Sequence, residues 1–296
     1  MFTDSATLLC MKVERYIAPT DGRFRLKDVD PDEHGSIPSK SAAESLLARS
    51  VERLHALQEV LYAQDRWGVL LILQAMDTAG KDGAIEHVMS GVNPQGCRVV
   101  SFKRPSAEEL DHDYRWRAVR ELPARGDIGI FNRSHYEEVL VVRVHPDVLA
   151  SEKLPPRLVT SKIWDQRYED INAFEKYLSR NGYIIRKVFL HISKEEQRKR
   201  LLARLDSPEK LWKFEEGDLG ERALWKQYMT AYEEAIRATS TKYAPWYVVP
   251  ANHKWFARLA VANVLIDALE SLELSYPTVD ARRRRFLVSL RDKLAP

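Results

Sequence analysis

Residues 67–89 constrain the fold more strongly than any other segment of the chain. Their sequence is WGVLLILQAMDTAGKDGAIEHVM, in which five apolar residues at 69–73 precede a turn-rich stretch and a helical pattern from about Lys81. A continuous apolar block, unlike an alternating one, is typical of a strand that is buried on both faces of a parallel sheet. The segment therefore predicts a strand, a tight loop and a helix within an α/β domain.

The same alternation of strand and helix continues along the chain. Further apolar blocks lie at 97–102, 128–131, 183–192 and 246–249, and helical patterns separate them. Because strand–helix alternation needs right-handed crossovers, we expect a three-layer αβα domain with a parallel five-stranded sheet. A long amphipathic helix, capped by Ser41 and ending near Asp65, precedes it. The other expected helices span about 82–92, 106–120, 134–144, 165–180, 194–206, 219–238, 253–272 and 280–292.

Composition bounds the domain organisation and the cellular setting. With 45% hydrophobic residues the chain can bury a core, so we expect one domain over residues 39–296. Residues 1–38 mix charge with proline and glycine and are expected to wrap that domain as an extension. Two cysteines cannot form a disulfide framework, and the sequence contains no run of 18 apolar residues. Its first residues lack the basic flank and apolar core of a secretory signal, so we expect none. We therefore expect a cytoplasmic protein without a membrane partner.

Residues 75–83, which follow the first predicted strand, have the layout of a phosphate-binding loop. Backbone N–H groups and a helix N-terminus cradle anionic oxygens there, and Lys81 neutralises bridging phosphates. The match to G-x-x-x-x-G-K-[ST] is imperfect, since Ala75 replaces the first glycine and Asp82 replaces the hydroxyl residue. Taken alone, the Gly-Lys pair is equally compatible with a structural turn. Asp77 favours the functional interpretation, because a metal-free turn gains nothing from it. The expected phosphate ligands beside Lys81 are Thr78, Ala79, Gly80, Asp82 and Gly83.

A second motif follows the predicted strand at 128–131, where the sequence continues as Asn132, Arg133 and Ser134. Ser134 and Glu137 have the spacing of a capping box, which is one interpretation of Glu137. In P-loop enzymes, however, this strand normally ends in an aspartate that holds Mg²⁺, and asparagine is a weak ligand for a hard cation. Glu137 lies one turn into the helix and could supply the missing carboxylate. The expected metal ligands are therefore Asp77 and Glu137, with Asn132 beside them.

The motifs MDTAGKDG at 76–83 and FNRSHYE at 131–137 resemble the two signatures of polyphosphate kinase family 2. These enzymes are polyphosphate:nucleotide phosphotransferases built on a P-loop kinase core. The resemblance continues through SFKRPSAEELDHDYRWR, WDQRYEDINAFE and ATSTKYAPWYVVPANHKWFARLAV, and so covers about residues 40–270. Much of the family has Asp where this chain has Asn132, and Asn where it has Glu137. The arrangement here is similar to the subgroup that accepts both AMP and ADP.

The resemblance implies a reversible transfer of the terminal phosphoryl group of inorganic polyphosphate to AMP or ADP. It also implies Mg²⁺, or Mn²⁺ in its place, as cofactor, and we expect a homo-oligomer. Lys81 and the loop amides would hold the donor phosphate, Asp77 and Glu137 would hold the metal, and Arg133 would stabilise the transferring group. No general base is needed, because the acceptor is already a phosphate oxyanion.

Two basic clusters complete the predicted site. Residues 194–222 begin as a basic helix and continue through two glycines, which is typical of a helical lid over the donor. Interspersed acidic residues also allow a solvated helix, but we expect Arg198 or Arg204 to face the phosphates. Lys103 and Arg117 follow the second predicted strand and are expected to line a cationic track for the polyanion. The arginine run at 282–285 is expected to be a solvated helix face.

The residues alone indicate a P-loop phosphotransferase, and two other functions stay open. One is an ATP-dependent nucleoside monophosphate kinase. The other is a non-catalytic P-loop module that binds polyanions such as nucleic acid or polyphosphate. Asp77 argues against the module, because a carboxylate does not help anion binding without a metal. We therefore expect polyphosphate and adenine nucleotides as ligands, and no nucleic acid.

Overall fold

The computed structural model describes residues 11–214 and 217–294. Its centre is a sheet of five strands, β1 (Gly68–Ala75), β2 (Cys97–Ser101), β3 (Ile128–Asn132), β4 (Tyr183–His191) and β5 (Trp246–Pro250). The strand order is β2-β3-β1-β4-β5, and every neighbouring pair is parallel. The predicted parallel sheet is therefore confirmed, and β1 lies at its centre.

Helices cover both faces of this sheet. Val69, Leu71 and Leu73 of β1 pack into one apolar cluster, and Leu70 and Ile72 pack into the other. Burial on both faces explains why β1 is a continuous apolar block and not an alternating one. The α-helices are α1 (Lys40–Gln64), α2 (Lys81–Met89), α3 (Ala107–Leu110), α4 (Trp116–Arg120), α5 (Val141–Val144), α6 (Pro146–Ser151), α7 (Ile163–Arg180), α8 (Lys194–Leu205), α9 (Gly217–Ala223), α10 (Trp225–Thr239), α11 (Lys254–Glu270) and α12 (Ala281–Leu294).

Some predicted helix boundaries are wrong for local reasons. Ser39, not Ser41, caps α1, since its side chain accepts a hydrogen bond from the Ala42 amide. The helix predicted at 106–120 is broken into α3 and α4, and the one at 219–238 into α9 and α10. Residues 134–144 form a 3-10 helix (His135–Val139) and then α5, because the backbone of Leu140 leaves the helical region. No described helix has the length and apolar character needed to cross a bilayer.

Residues 11–38 lie against the β5 edge of the sheet. The Ala18 amide donates to the Trp246 carbonyl at 2.8 Å, and the Leu26 amide donates to Glu233 Oε2 at 2.8 Å. Phe24 and Leu26 are buried in the same apolar cluster as the helices on that face. These contacts fit an extension that wraps the body, while the division of the chain at residue 38 stays a prediction.

A buried ion pair joins β4 to α7. Lys187 Nζ donates to Glu175 Oε2 at 2.6 Å, to the Tyr136 hydroxyl at 2.8 Å and to the Thr239 carbonyl at 2.7 Å. Burial lowers the pKa of Lys187 and raises that of Glu175, and their mutual attraction opposes both shifts. Both charges therefore depend on each other inside the core.

Lys187→Met is expected to lower the free energy of unfolding by about 3–5 kcal/mol, because it leaves a buried carboxylate uncompensated. Urea denaturation measures the loss. The double variant Lys187→Met/Glu175→Leu removes both charges and should recover most of the stability. Equal losses in the single and double variants would contradict this account.

Candidate active site

The site forms where β1 and β3 end side by side. Leu73 pairs with Asn132 in the parallel register, and the Arg133 amide donates to the Leu73 carbonyl at 3.0 Å. Thr78 and Arg133 both have left-handed backbones, with φ of 65° and 62°. That conformation costs a non-glycine residue about 1–2 kcal/mol, and such strain concentrates at ligand sites. The two loops after β1 and β3 are therefore held in a specific shape.

Lys81 opens α2 beneath the phosphate loop, and its Nζ donates to the Ala75 carbonyl at 3.2 Å. Burial and the neighbouring Arg133 lower the pKa of Lys81, whereas Asp77, Glu137 and Asp82 raise it. The predicted catalytic lysine thus lies within electrostatic reach of all the other predicted catalytic residues.

Arg133 connects the two carboxylates that the sequence assigns to the metal. Its guanidinium donates to Asp77 Oδ1 at 3.2 Å and lies 3.7 Å from Glu137 Oε2. Glu137 raises the pKa of Arg133, which burial opposes. Burial raises the pKa of Glu137, which Arg133 and Lys81 oppose. The structure therefore brings Asp77, Lys81, Arg133 and Glu137 together; their chemical roles stay predictions.

The capping-box interpretation of Glu137 is wrong. The Ser134 hydroxyl accepts from the Tyr136 amide at 3.1 Å, but the Glu137 carboxylate pairs with Arg133 instead of reaching back to Ser134. A 3-10 helix at this point does not provide the α-helical position that the box needs. A reciprocal box does occur in the chain, between Ser106 and Glu109. Glu137 is consequently available for the site.

Asn132 lies beside the loop, and its Nδ2 donates to Asp82 Oδ1 at 2.7 Å. Because a carboxylate only accepts hydrogen bonds, the amide oxygen of Asn132 points away from Asp82. This oxygen, Oδ1, is buried and has no hydrogen-bond partner among the described residues. Within residues 11–214 and 217–294, no three His, Cys, Asp or Glu side chains cluster as a complete metal cage. Two carboxylates and an unpaired amide oxygen nevertheless fit Mg²⁺, which binds through one or two carboxylates, substrate phosphates and water.

Helix α8, which the sequence assigns to a lid, contributes a residue whose role the sequence does not reveal. The buried Arg200 donates to the carbonyls of Thr78 at 3.0 Å and Ala79 at 2.9 Å, and to the Ala251 carbonyl at 2.7 Å. It therefore ties the phosphate loop to the connection between β5 and α11. The predicted phosphate ligands on this helix have acidic partners, since Arg198 pairs with Glu195 and Arg204 pairs with Asp218.

Three cations are here termed the loop-flanking cations. Lys254 and Arg258 belong to α11, which follows β5 and borders the loop, and Lys210 lies close enough to Lys254 to lower its pKa. A Cβ placed on Gly80 would lie 3.9 Å from Lys254 Cγ, and one on Gly83 would lie 3.5 Å from Arg258 Nη2. Burial lowers the pKa of Lys254, and so do Arg200, Arg258 and Lys210. In the described part of the chain neither Lys254 nor Arg258 pairs with a carboxylate. In the sequence, the i,i+4 spacing of Lys254 and Arg258 directly after a predicted strand is the feature that indicates a pair of cations at this edge of the sheet.

The other predicted basic track needs a correction at Arg117. Its guanidinium is only 6% exposed, donates to the Lys103 carbonyl at 2.8 Å and lies 3.3 Å from Glu138 Oε1. Arg117 therefore supports the β2 loop from within the core, because the Glu138 carboxylate and the Phe102 ring enclose it. Lys103 is exposed and borders a cavity of about 280 Å³, which Trp116, Arg120 and the buried Arg117 also line.

Comparison with known proteins assigns this arrangement to a family. Residues 38–276 match the profile described as Polyphosphate kinase 2 (PPK2). The chain belongs to the polyphosphate kinase 2 family. It is 55% identical to the ADP-polyphosphate phosphotransferase of Rhodopseudomonas palustris, over 86% of this chain and 89% of that one. It is 48% identical to the AMP/ADP-polyphosphate phosphotransferase of Meiothermus ruber, over 93% of this chain and all of that one.

The fold agrees with a solved structure of the same family. The crystal structure of polyphosphate kinase 2 from Arthrobacter aurescens superposes with a TM-score of 0.84 at 45% identity. The match covers 93% of this chain and 95% of that one. The predicted fold class and the predicted family are thereby confirmed.

Proposed function

We propose that this member of the polyphosphate kinase 2 family transfers the terminal phosphoryl group of inorganic polyphosphate to AMP and ADP in a reversible, Mg²⁺-dependent reaction. The observation that carries the proposal is the Asp77–Arg133–Glu137 arrangement next to Lys81 at the ends of β1 and β3. The names of the relatives from R. palustris and M. ruber support the donor and the two acceptors.

The reaction exchanges one phosphorus–oxygen bond for another. A terminal phosphate oxygen of AMP or ADP attacks the last phosphorus of the donor, and the bond to the bridging oxygen breaks, so the polymer leaves one unit shorter. Lys81 and Arg133 neutralise the charge of the transferring group and hold it in line. Asp77 and Glu137, with Asn132, would hold Mg²⁺, which when bound neutralises further phosphate charge.

The order of the strands in the sheet supports a donor side and an acceptor side of the site. The phosphate loop follows the central strand β1, the loop-flanking cations lie toward β5, and the cavity at Lys103 lies beyond β3 at the end of β2. Unpaired cations suit a polymer of phosphates, whereas a cavity lined by Trp116 suits a nucleotide. We therefore place the donor polymer on the β5 side and move Lys103 from the donor track to the acceptor.

Product analysis by anion-exchange chromatography tests the function. The enzyme is incubated with AMP, Mg²⁺ and polyphosphate as the sole donor, and ADP and ATP are expected to accumulate. Products that appear with ATP but not with polyphosphate would instead establish a nucleoside monophosphate kinase. Polyanion binding without turnover, independent of Mg²⁺, would establish a binding module.

Removal of one positive charge on the donor side or on the acceptor side should raise the KM of only the substrate that binds there. Lys254→Gln is expected to raise the KM for polyphosphate on the order of tenfold, about 1.4 kcal/mol, with little change in the KM for AMP. Lys103→Gln should show the opposite pattern. Steady-state kinetics with each substrate varied in turn measures both constants. Lys176→Gln, an exposed change on α7, is the matched control, and equal effects on both KM values would remove the proposed separation.

The acceptor range should depend on Asn132 and Glu137 together. The double variant Asn132→Asp/Glu137→Asn rebuilds the arrangement that is commoner in the family, with the carboxylate on the strand end. We expect it to retain phosphoryl transfer but to narrow the range to one acceptor. The ratio of kcat/KM for AMP and ADP measures the change, and a ratio like that of the wild type would contradict the role of this pair.

We also propose a homo-oligomer in the cytoplasm, as the sequence suggests. Size-exclusion chromatography with light scattering measures the oligomeric state directly, and a mass of one chain, 34.2 kDa, would overturn it.

A further inference from the structure

The positive net charge of the protein resides in its C-terminal segment. Residues 277–296 lie beyond the family match, which ends at 276, and contain six Arg or Lys residues against two Asp residues. The segment thus has a formal charge of +4, whereas the whole chain has +3. The preceding 276 residues therefore have a net charge of −1, which is an unfavourable background for attracting a polyanionic donor.

Helix α12 presents this charge to solvent. Among its described side chains, Leu290 is partly buried and the others are exposed. Arg282, Arg283, Arg284 and Arg285 form no ion pair with a carboxylate in the described part of the chain. Four adjacent cations in the first turn oppose the helix dipole and repel one another. A bound anion would relieve both effects, so the helix favours an anionic ligand.

The distribution of the arginines indicates the shape of that ligand. Successive residues of an α-helix are about 100° apart, so the four arginines project around the whole circumference. A flat anionic bilayer meets one side of a helix and leaves the opposite side in water. A flexible linear polyanion can follow the helix surface and contact all four.

We propose that α12 is a second binding site for linear inorganic polyphosphate, which holds phosphates of the donor far from the reacting end. The proposal rests on the proposed function for the identity of the polyanion. α12 would raise the local concentration of the donor and would take no part in the transfer itself.

The path of the chain from the loop to α12 supports a dependence of this binding on the length of the polyphosphate. α11 begins at Lys254 beside the loop and ends at Glu270, and its 17 residues span about 25 Å. The chain then passes the C-terminal end of α1, where Gln64 donates to the Glu273 carbonyl at 3.2 Å, before α12 begins. α12 thus follows the end of α11 that is remote from the loop. A long polyphosphate can occupy both sites at once, and tripolyphosphate cannot.

The test replaces Arg282, Arg283, Arg284 and Arg285 with glutamine in the full chain, and a second variant replaces them with lysine. At low salt, the KM of the glutamine variant for long-chain polyphosphate should rise on the order of tenfold. This change is smaller than the gain in affinity that a second linked binding site usually provides. Its kcat, its KM for AMP and its affinity for tripolyphosphate should be unchanged. The lysine variant should resemble the wild type. Fluorescence anisotropy of labelled long-chain polyphosphate measures the same loss of affinity without turnover.

An unchanged affinity for long chains, or an equal loss for tripolyphosphate, overturns the proposal. Sedimentation with phosphatidylglycerol vesicles that is lost in the glutamine variant, together with unchanged polyphosphate affinity, also overturns it and assigns α12 to a membrane surface. If the wild type transfers no phosphate from polyphosphate to AMP, the proposed function fails. The anisotropy measurement still decides whether α12 binds polyphosphate.

Discussion

Replacing Lys81 with methionine is expected to lower kcat for polyphosphate-dependent phosphorylation of AMP by about 10³–10⁵-fold, in line with other cations that act on a transferring phosphoryl group. Methionine preserves most of the length of the side chain and removes its charge. Asp77, Glu137 and Arg133 all influence the pKa of Lys81, so the change removes a positive charge from the centre of the predicted site. The neighbouring cation, Arg133, is already paired with Asp77 and Glu137.

The fold should survive this change. The hydrogen bond of Lys81 within the described structure goes to the Ala75 carbonyl, and the loss of one such bond costs about 1 kcal/mol. Lys176→Met, at an exposed position of α7, is the matched control and should retain full activity. The expectation is contradicted if the Lys81→Met enzyme keeps more than about a tenth of the wild-type kcat. The donor phosphate would then lie elsewhere.

The central part of the fold could be predicted because it depends on local patterns. The apolar run of β1 predicts a strand buried on both faces, and its residues do pack alternately into two clusters. The breaks near Asp111 and at Leu140 could not be predicted in this way. The break at Leu140 reflects its backbone conformation, and between α3 and α4 the Asp113 side chain accepts a hydrogen bond from the Arg115 amide. Hydrophobic periodicity encodes neither feature.

In the candidate site, too, some residues could be predicted from local patterns and others could not. Asp77, Lys81 and Glu137 follow the carboxyl ends of parallel strands. Such ends meet at the same edge of the sheet, so the sequence alone predicts that these residues lie close together. The sequence places Arg200 only in the predicted lid. It does not predict the contact with Thr78, because the two residues are 122 positions apart in the chain. The sequence predicts Arg117 in the cationic track, because its charge alone does not reveal the buried Glu138 that encloses it.

Glu137→Gln is expected to reduce kcat strongly and to raise the Mg²⁺ concentration needed for half-maximal activity. A neutral amide is a far poorer ligand for Mg²⁺ than a carboxylate. The change also removes the charge that faces Arg133 at 3.7 Å, so the arginine would lose one of its two anchors. Mg²⁺ titrations of kcat at saturating substrates measure both effects.

Stability separates this role from a structural one. Burial already disfavours the charged form of Glu137 and raises its pKa, so a neutral isostere should change the free energy of unfolding by less than about 1 kcal/mol. Glu169→Gln, on the exposed face of α7, is the control for a carboxylate removed away from the site. If Glu137→Gln leaves kcat and the Mg²⁺ requirement untouched, Glu137 serves only to position Arg133. The carboxylate that acts with Asp77 must then be another, and Asp82, already hydrogen-bonded to Asn132, is the next to replace.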